Sequence, residues 1–254
     1  MDVLTRVEDG VATIALNRLA KKNALTAPMY QAMADALRAN DADPAVRCTV
    51  IHGTAEVFAA GNDLDDFLNN PPSSEEAPVF QFLRALPTSA KPLIAAVAGP
   101  AVGVGTTMLL HCDLVYAGDN ARFALPFAQL GICPEAGSSL LLPMLVGHQR
   151  AAEKLMLGEP FGADEAREIG LVTAVLPAAQ VIDHALAQAR KLARMPASAL
   201  RVTKRLLKQN LVERTLERMR DEAVELRAML GSPEAREAFS AFLEKRKPDF
   251  SKFA

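Results

Sequence analysis

Short aliphatic and β-branched runs alternate with helical patterns along this chain up to about residue 177, and this alternation restricts the fold more than any other feature. Thr49-Val50-Ile51, Leu93 to Val97 and Leu114 to Ala117 read as buried strands. Between them, Thr26 offers a helix cap with Pro28 in the first turn, and Tyr30, Met33 and Leu37 fall on one face. A further helical pattern is expected over Val102 to His111, and a hairpin at the start, where Val3 to Val7 and Val11 to Leu16 flank Glu8-Asp9-Gly10. Apolar strands separated by helices predict an α/β fold.

Beyond residue 177 the strand signals stop. Val181, Ile182, Ala185, Leu186 and Ala189 mark one helix, and Leu216, Met219, Ala223, Leu226 and Leu230 mark another. The second stripe packs on its own domain or meets another copy; both readings stay open. The polar, Pro-rich stretch from Asn69 to Ser74 predicts a loop between two helical pieces.

Half of the 254 residues are hydrophobic, enough for one large core or a domain with an appendage. A net charge of −2 argues against general nucleic-acid binding, which needs a basic surface. Met1-Asp2-Val3-Leu4 lacks the basic start of a secretory signal, and Gly, Pro, Asp or Arg breaks each apolar stretch before a membrane-spanning length. Cys48, Cys112 and Cys133 are odd in number and widely spaced, which predicts free thiols in a reducing compartment. The four histidines show no metal-ligand spacing, so no metal is expected. The final Ser251-Lys252-Phe253-Ala254 does not match a peroxisomal tripeptide. A cytoplasmic, soluble protein is the expectation.

Two Gly-containing turns carry the chemistry. Lys91 to Thr107 reads as strand, Gly-rich turn and helix start, with Gly99, Gly103 and Gly105 in the turn. Main-chain N–H groups there have no partner within the helix and favour an oxygen becoming negative. A dinucleotide pattern is excluded, because Met108 stands where its third Gly would be. The second turn, Phe58-Ala59-Ala60-Gly61-Asn62-Asp63-Leu64, joins small residues to a Gly that permits close backbone approach. Taken singly, the first turn is better read as glycines needed for packing, and the second as an ordinary strand-to-helix turn capped by Asn62 or Asp63.

In order and spacing, these two turns and the later Cys112-Asp113-Leu114-Val115-Tyr116-Ala117 and Leu130-Gly131-Ile132-Cys133-Pro134-Glu135-Ala136-Gly137-Ser138-Ser139 resemble the crotonase (enoyl-CoA hydratase/isomerase) superfamily. The resemblance runs on through Gly170-Leu171-Val172 to Phe242-Leu243-Glu244-Lys245-Arg246-Lys247-Pro248. It implies a spiral of repeated ββα units over residues 1–195, closed by a C-terminal helical trimerisation region over 196–254. It also implies a thioester substrate that brings its own CoA, no permanently bound cofactor, and a homotrimer or dimer of trimers. In the family two main-chain N–H groups bind the thioester oxygen; here they would belong to Asn62 and Val104.

The family's hydratases use two glutamates to activate water. Thr107 and Phe127 occupy those positions, so a two-acid hydration is poorly supported. Glu135 instead sits where the family's enoyl-CoA isomerases place their base, and Gly61-Asn62-Asp63-Leu64 with Pro126-Phe127 resembles the peroxisomal-type Δ3,Δ2-enoyl-CoA isomerases. One carboxylate suffices for the shift, taking a proton from C2 of a 3-enoyl thioester and returning it at C4. Phe127, Leu130, Ile132 and Cys133 are expected to wall off water. Their burial would raise the Glu135 pKa and a helix starting after Pro134 would lower it.

By the same resemblance Lys21, Lys22, Ala24, Ala60, Asp63, Leu64 and Lys245 are the candidates for holding CoA. Phe67, Phe80 and Phe82 are candidates for an acyl tunnel, and Arg201, Lys204, Arg205 and Lys208 read as a charged face turned to water. The alternatives to an isomerase are a hydratase or an acyl-CoA hydrolase of the same superfamily, with water held by Ser138 or Ser139, and a non-catalytic acyl-CoA binder.

Overall fold

A computed structural model of the chain describes residues 1–253 except positions 71, 73 and 245, without the side chains of 68 and 69. Its strands are β1 (Val3–Glu8), β2 (Val11–Leu16), β3 (Cys48–His52), β4 (Leu93–Val97), β5 (Pro100–Val102), β6 (Leu114–Gly118), β7 (Arg122–Ala124), β8 (Phe161–Gly162) and β9 (Ala174–Leu176). Six of them form one sheet in the order β1-β2-β3-β4-β6-β9, antiparallel only at the β1–β2 hairpin. A smaller sheet runs β5-β7-β8. Gly99 turns the chain from β4 in the first sheet to β5 in the second, and Gly118 ends β6 before the turn to β7. The repeated passage from one sheet to the other followed by a helical segment is the spiral of ββα units.

The helices are α1 (Ala27–Ala42), α2 (Leu64–Asn69), α3 (Pro78–Thr88), α4 (Val104–Thr107), α5 (Ser138–Val146), α6 (His148–Ala152), α7 (Ala163–Glu168), α8 (Val181–Ala193), α9 (Ala197–Lys208), α10 (Val212–Leu230) and α11 (Pro233–Leu243). The parallel strands are buried on both faces, because side chains alternate and each face carries its own helices. Ile14, Ile51, Ala95 and Val97 join the core that includes Met29, Met33 and Leu37 of α1 and Phe82 and Leu86 of α3. Val50, Ile94, Ala96 and Tyr116 pack with Val181, Ala185 and Ala189 of α8. Among the described residues, no helix is long and apolar enough to cross a membrane.

Two expectations change. The helix predicted from Val102 begins only at Val104, since Val102 pairs with Ala124 in the small sheet and Gly103 breaks the backbone at φ 54°. The basic face of α9 is not all solvated. Lys204 is buried, with its Nζ 2.8 Å from Asp113 Oδ2 and donating to the Lys91 carbonyl at 2.6 Å. Lys208 reaches Asp113 Oδ1 at 3.2 Å and donates to the His111 carbonyl at 2.6 Å. Asp113 also accepts the Leu93 N–H at 2.7 Å, so one carboxylate ties the C-terminal helices to the start of β4. The Pro-rich loop lies partly outside the described residues; Asn69 ends α2, and α3 resumes at Pro78.

Gly99 has φ 63°, and a Cβ there would lie 1.7 Å from the Glu56 carbonyl oxygen. Gly147, at φ 84°, has nothing within 4 Å of such a Cβ. Gly99→Ala should therefore cost roughly 2–5 kcal/mol from backbone strain plus overlap, and Gly147→Ala about 1–2 kcal/mol from strain alone. Urea unfolding of both variants checks the ranking, and equal midpoints would contradict it.

Candidate active site

The two Gly turns are bound to one another through their main chains. Ala59 N–H donates to the Pro100 carbonyl at 3.0 Å and accepts the Val102 N–H on its own carbonyl at 2.9 Å. A Cβ on Gly105 would fall 2.9 Å from the Ala59 carbonyl oxygen, and one on Gly61 would fall 3.0 Å from that of Val102. Glycine is thus required on both sides for the turns to approach this closely.

The segment after Arg18 closes over the first turn. Asn23 is fully buried, accepts the Arg18 N–H at 2.8 Å and donates to the Phe58 carbonyl at 2.9 Å. Leu25 N–H donates to the Gly61 carbonyl at 2.8 Å, and Asp63 N–H donates to the Leu25 carbonyl at 2.9 Å. This bridge engages the residues either side of Asn62 and leaves the Asn62 N–H out of the ladder. Val104 opens α4, where an N–H has no intrahelical partner.

A cavity of about 780 Å³ receives both segments. Lys21, Lys22, Ala24 and Ala60 line it with Asn62, Asp63, Leu64, Val104 and Glu135. The structure therefore brings together every residue expected to act on the thioester or hold CoA except Lys245, which lies outside the described residues. Phe242 and Leu243 of α11 line the same cavity. Asp63 is committed locally: it caps α2 by accepting the Asp66 N–H at 3.0 Å and pairs with Arg18 at 2.7 Å. Burial pushes its pKa up, but those two partners outweigh it and hold the carboxyl below its ordinary range.

Of the expected apolar walls, Phe127, Leu130 and Ile132 line the cavity, whereas the Cys133 thiol turns to the Glu222 carbonyl at 3.6 Å. Phe67 lines the cavity too. Phe80 instead faces a smaller space of about 150 Å³ on the far side of Glu135. Phe82 is fully buried core with its ring 5.7 Å from that of Tyr30, which corrects its reading as a tunnel residue.

Glu135 is the residue shared by the two cavities. Only 6% of it is exposed, and its Oε1 has no hydrogen-bond partner. Burial, and then the nearby Glu222, pushes its pKa up to about 8. Of the two opposed influences expected from the sequence, burial wins. The reason lies in the local backbone: α5 starts only at Ser138, after the left-handed Ala136 (φ 62°) and Gly137 (φ 71°). The N–H groups of Gly137 and Ser139 go to Glu222, at 2.6 and 3.0 Å, and not to Glu135.

Three further side chains were not singled out from sequence for this site. Tyr30 is buried, and its hydroxyl donates to Asn62 Oδ1. Burial raises its pKa well above the usual value, helped by Glu135 and Asp66. His111 is buried and its Nε2 donates to the Ala136 carbonyl at 2.8 Å; burial lowers its pKa to about 4, so the ring is neutral. Glu222 lies in the apolar stripe of α10 between Met219 and Leu226, and an acid at that spacing is the one signal that marks it.

An ionisable acid facing a cavity, beside two main-chain N–H groups outside any ladder, can move protons on a carbon next to a polarised carbonyl. The stability of the fold should register the acid. Between the ordinary carboxyl pKa and about 8 the folded chain binds a proton that the unfolded chain has released. Stability due to this group is therefore greatest at acid pH and falls as pH rises through that window. Glu135→Gln removes the ionisation, and we expect its unfolding free energy relative to wild type to rise by a few kcal/mol between pH 5 and pH 9. A difference that does not vary with pH would show that Glu135 titrates normally.

Comparison with known proteins agrees with this geometry. Residues 6–252 match the family model described as enoyl-CoA hydratase/isomerase. Enoyl-CoA delta isomerase 2 of Rattus norvegicus is 36% identical over 250 residues, covering 96% of this chain and 64% of the rat protein, so the chain spans under two thirds of that relative. The 2,3-dehydroadipyl-CoA hydratase of Escherichia coli is 37% identical over 98% of both chains. The solved structure of Pseudomonas aeruginosa OdaA superposes with a TM-score of 0.93 at 47% identity, covering 95% of this chain and 98% of the other.

Proposed function

We propose that this chain, which belongs to the enoyl-CoA hydratase/isomerase family, moves the double bond of a 3-enoyl-CoA to the 2-position, with Glu135 as its single base. An isomerase and a hydratase match at similar identity, so the choice between them rests on the site. The observation that carries the reading is a buried Glu135 with a free carboxyl oxygen, together with Thr107 and Phe127 at the two positions where the family's hydratases carry their acids. Thr107 has no useful basicity near neutrality, and Phe127 contributes only an apolar wall.

In this reading the thioester oxygen lies between the N–H groups of Asn62 and Val104. Glu135 removes a proton from C2, and the electron pair delocalises into the carbonyl as a dienolate held by those donors. The carboxylic acid then returns the proton at C4, and the double bond is left between C2 and C3. Loss of one such donor costs about 3 kcal/mol in the transition state. A base raised toward neutrality is better matched to a weakly acidic C–H than an ordinary carboxylate. The basic Lys21 and Lys22 and the backbone of Ala24 and Ala60 at the cavity wall support a CoA nucleotide as the substrate's handle. The homotrimer or dimer of trimers is carried over from the family alone, and the exposed Leu206 and Leu207 of α9 offer apolar surface for contact between copies.

Hydration is the second reading, favoured by the buried Thr107 and Ser138 hydroxyls, which have no protein partner and suit a water. The same observation does not extend to Ser139, whose hydroxyl donates to Glu222 at 2.6 Å.

Offering trans-3-hexenoyl-CoA and trans-2-hexenoyl-CoA separately, with absorbance as the readout, tests the proposal. Turnover of the 3-enoyl ester should fall by at least 100-fold in Glu135→Gln, with little hydration of the 2-enoyl ester. In the wild type kcat/KM should rise with pH and reach half its plateau near pH 8, because the carboxylate is the working form. Rapid hydration that survives the substitution would give the site to water addition.

A further inference from the structure

Taking Glu135 as the base of the reaction just proposed, the turn that presents it is strained and needs an external hold. Ala136 is a non-Gly residue at φ 62°, followed by Gly137 at φ 71°. Such backbone persists only where its surroundings over-determine it. One hold is the His111 ring on the Ala136 carbonyl. The larger one comes from α10: Glu222, itself 7% exposed, accepts the Gly137 N–H at 2.6 Å, the Ser139 N–H at 3.0 Å and the Ser139 hydroxyl at 2.6 Å. The Glu222 carbonyl takes the Cys133 thiol as well, so one residue grips the base's loop on both sides.

We propose that Glu222 is a positioning residue for the Glu135 base: its carboxylate occupies the free N–H groups ahead of α5, keeping the turn in its left-handed form and the Glu135 carboxyl turned toward the cavity without a donor. Both acids line the smaller cavity, so they face one space. Three hydrogen bonds to one carboxylate leave Glu222 poorly placed to shuttle protons itself, which separates its part from that of the base. Charge acts in the same direction as geometry. Glu222 raises the Glu135 pKa after burial has done so, and the donors it occupies can no longer lower it.

The other groups around Glu135 do not substitute for this charge. Tyr30 of α1 and Cys133 on the same loop are kept protonated by burial, and His111 is kept neutral. Arg218 of α10 stands against Glu222 and the Ser139 hydroxyl, at 3.4 Å from the latter. Arg84 of α3 and Arg220 and Arg227 of α10 line the smaller cavity and complete the charged groups on its walls, with Glu75 opposite.

Glu222→Gln removes the charge and sets an amide against at least one N–H donor, whereas Glu222→Asp and Ser139→Ala keep the charge and loosen the grip. In the 3-hexenoyl-CoA assay, Glu222→Gln should lower kcat by roughly 10- to 100-fold with little change in KM, and the acid limb of its kcat/KM profile should move to lower pH. Glu222→Asp and Ser139→Ala should lower kcat while leaving the limb where it lies in the wild type. The proposal is overturned if Glu222→Gln keeps the wild-type limb. If Glu222→Gln does not fold, wild-type kcat in both charge-keeping variants overturns it instead. A wild-type protein inactive on 3-enoyl esters would count against the isomerase reading, which this experiment therefore separates from the part played by Glu222.

Discussion

Everything in this molecule that bears on chemistry depends on the main-chain contact between two turns, the one before α2 and the one before α4. Ala59 exchanges hydrogen bonds with Pro100 and Val102, and the glycines at 61 and 105 let the strands come that near. The contact places two N–H groups at one cavity wall, and the sheets, corners and buried Asn23 serve to hold it. Because both partners are backbone, the geometry is set by the path of the chain and is not subject to rotamer choice. The same principle recurs at the proposed base, where the left-handed Ala136 and Gly137 present Glu135.

The C-terminal helices matter for a complementary reason. They carry little of the central sheet, but α10 brings Glu222 to the loop of Glu135 and α11 brings Phe242 and Leu243 to the cavity. Lys204 and Lys208 on Asp113 fasten that region to the strand layer. A buried lysine is costly unless its charge is met, and here a carboxylate and a carbonyl meet it. The fastening is therefore specific in register as well as firm.

Much of this was legible in the sequence because it is written in local pattern. The β-branched run at Thr49 to Ile51 and the apolar run at Leu93 to Val97 read as buried strands, and each is. The two Gly turns and Glu135 stood out through their resemblance to the family's ordered motifs. What escaped was long-range and polar. Lys204 looked like one member of a solvated face, since nothing near it in sequence announces Asp113 across the fold. Glu222 was not singled out, since the helix is read from its apolar stripe, and only its place between Met219 and Leu226 marks it for burial. Phe82 misled in the other direction, since nearness to a loop says nothing of which side of a helix faces the core. The pKa of Glu135 could not be read either, because it depends on which group claims the Gly137 and Ser139 N–H donors.

A cradle made of peptide groups also bears on how such a chain can diverge. Side chains at 62 and 104 can be exchanged while the N–H groups stay in place, so in the proposed reaction drift there is nearly silent to the developing negative charge. The acids are different, because each is a side chain and a single codon change adds or removes one. In the proposed reaction, positions 107, 127 and 135 are thus a small register in which the outcome of a shared enolate can be rewritten, while the scaffold that generates it is inherited intact.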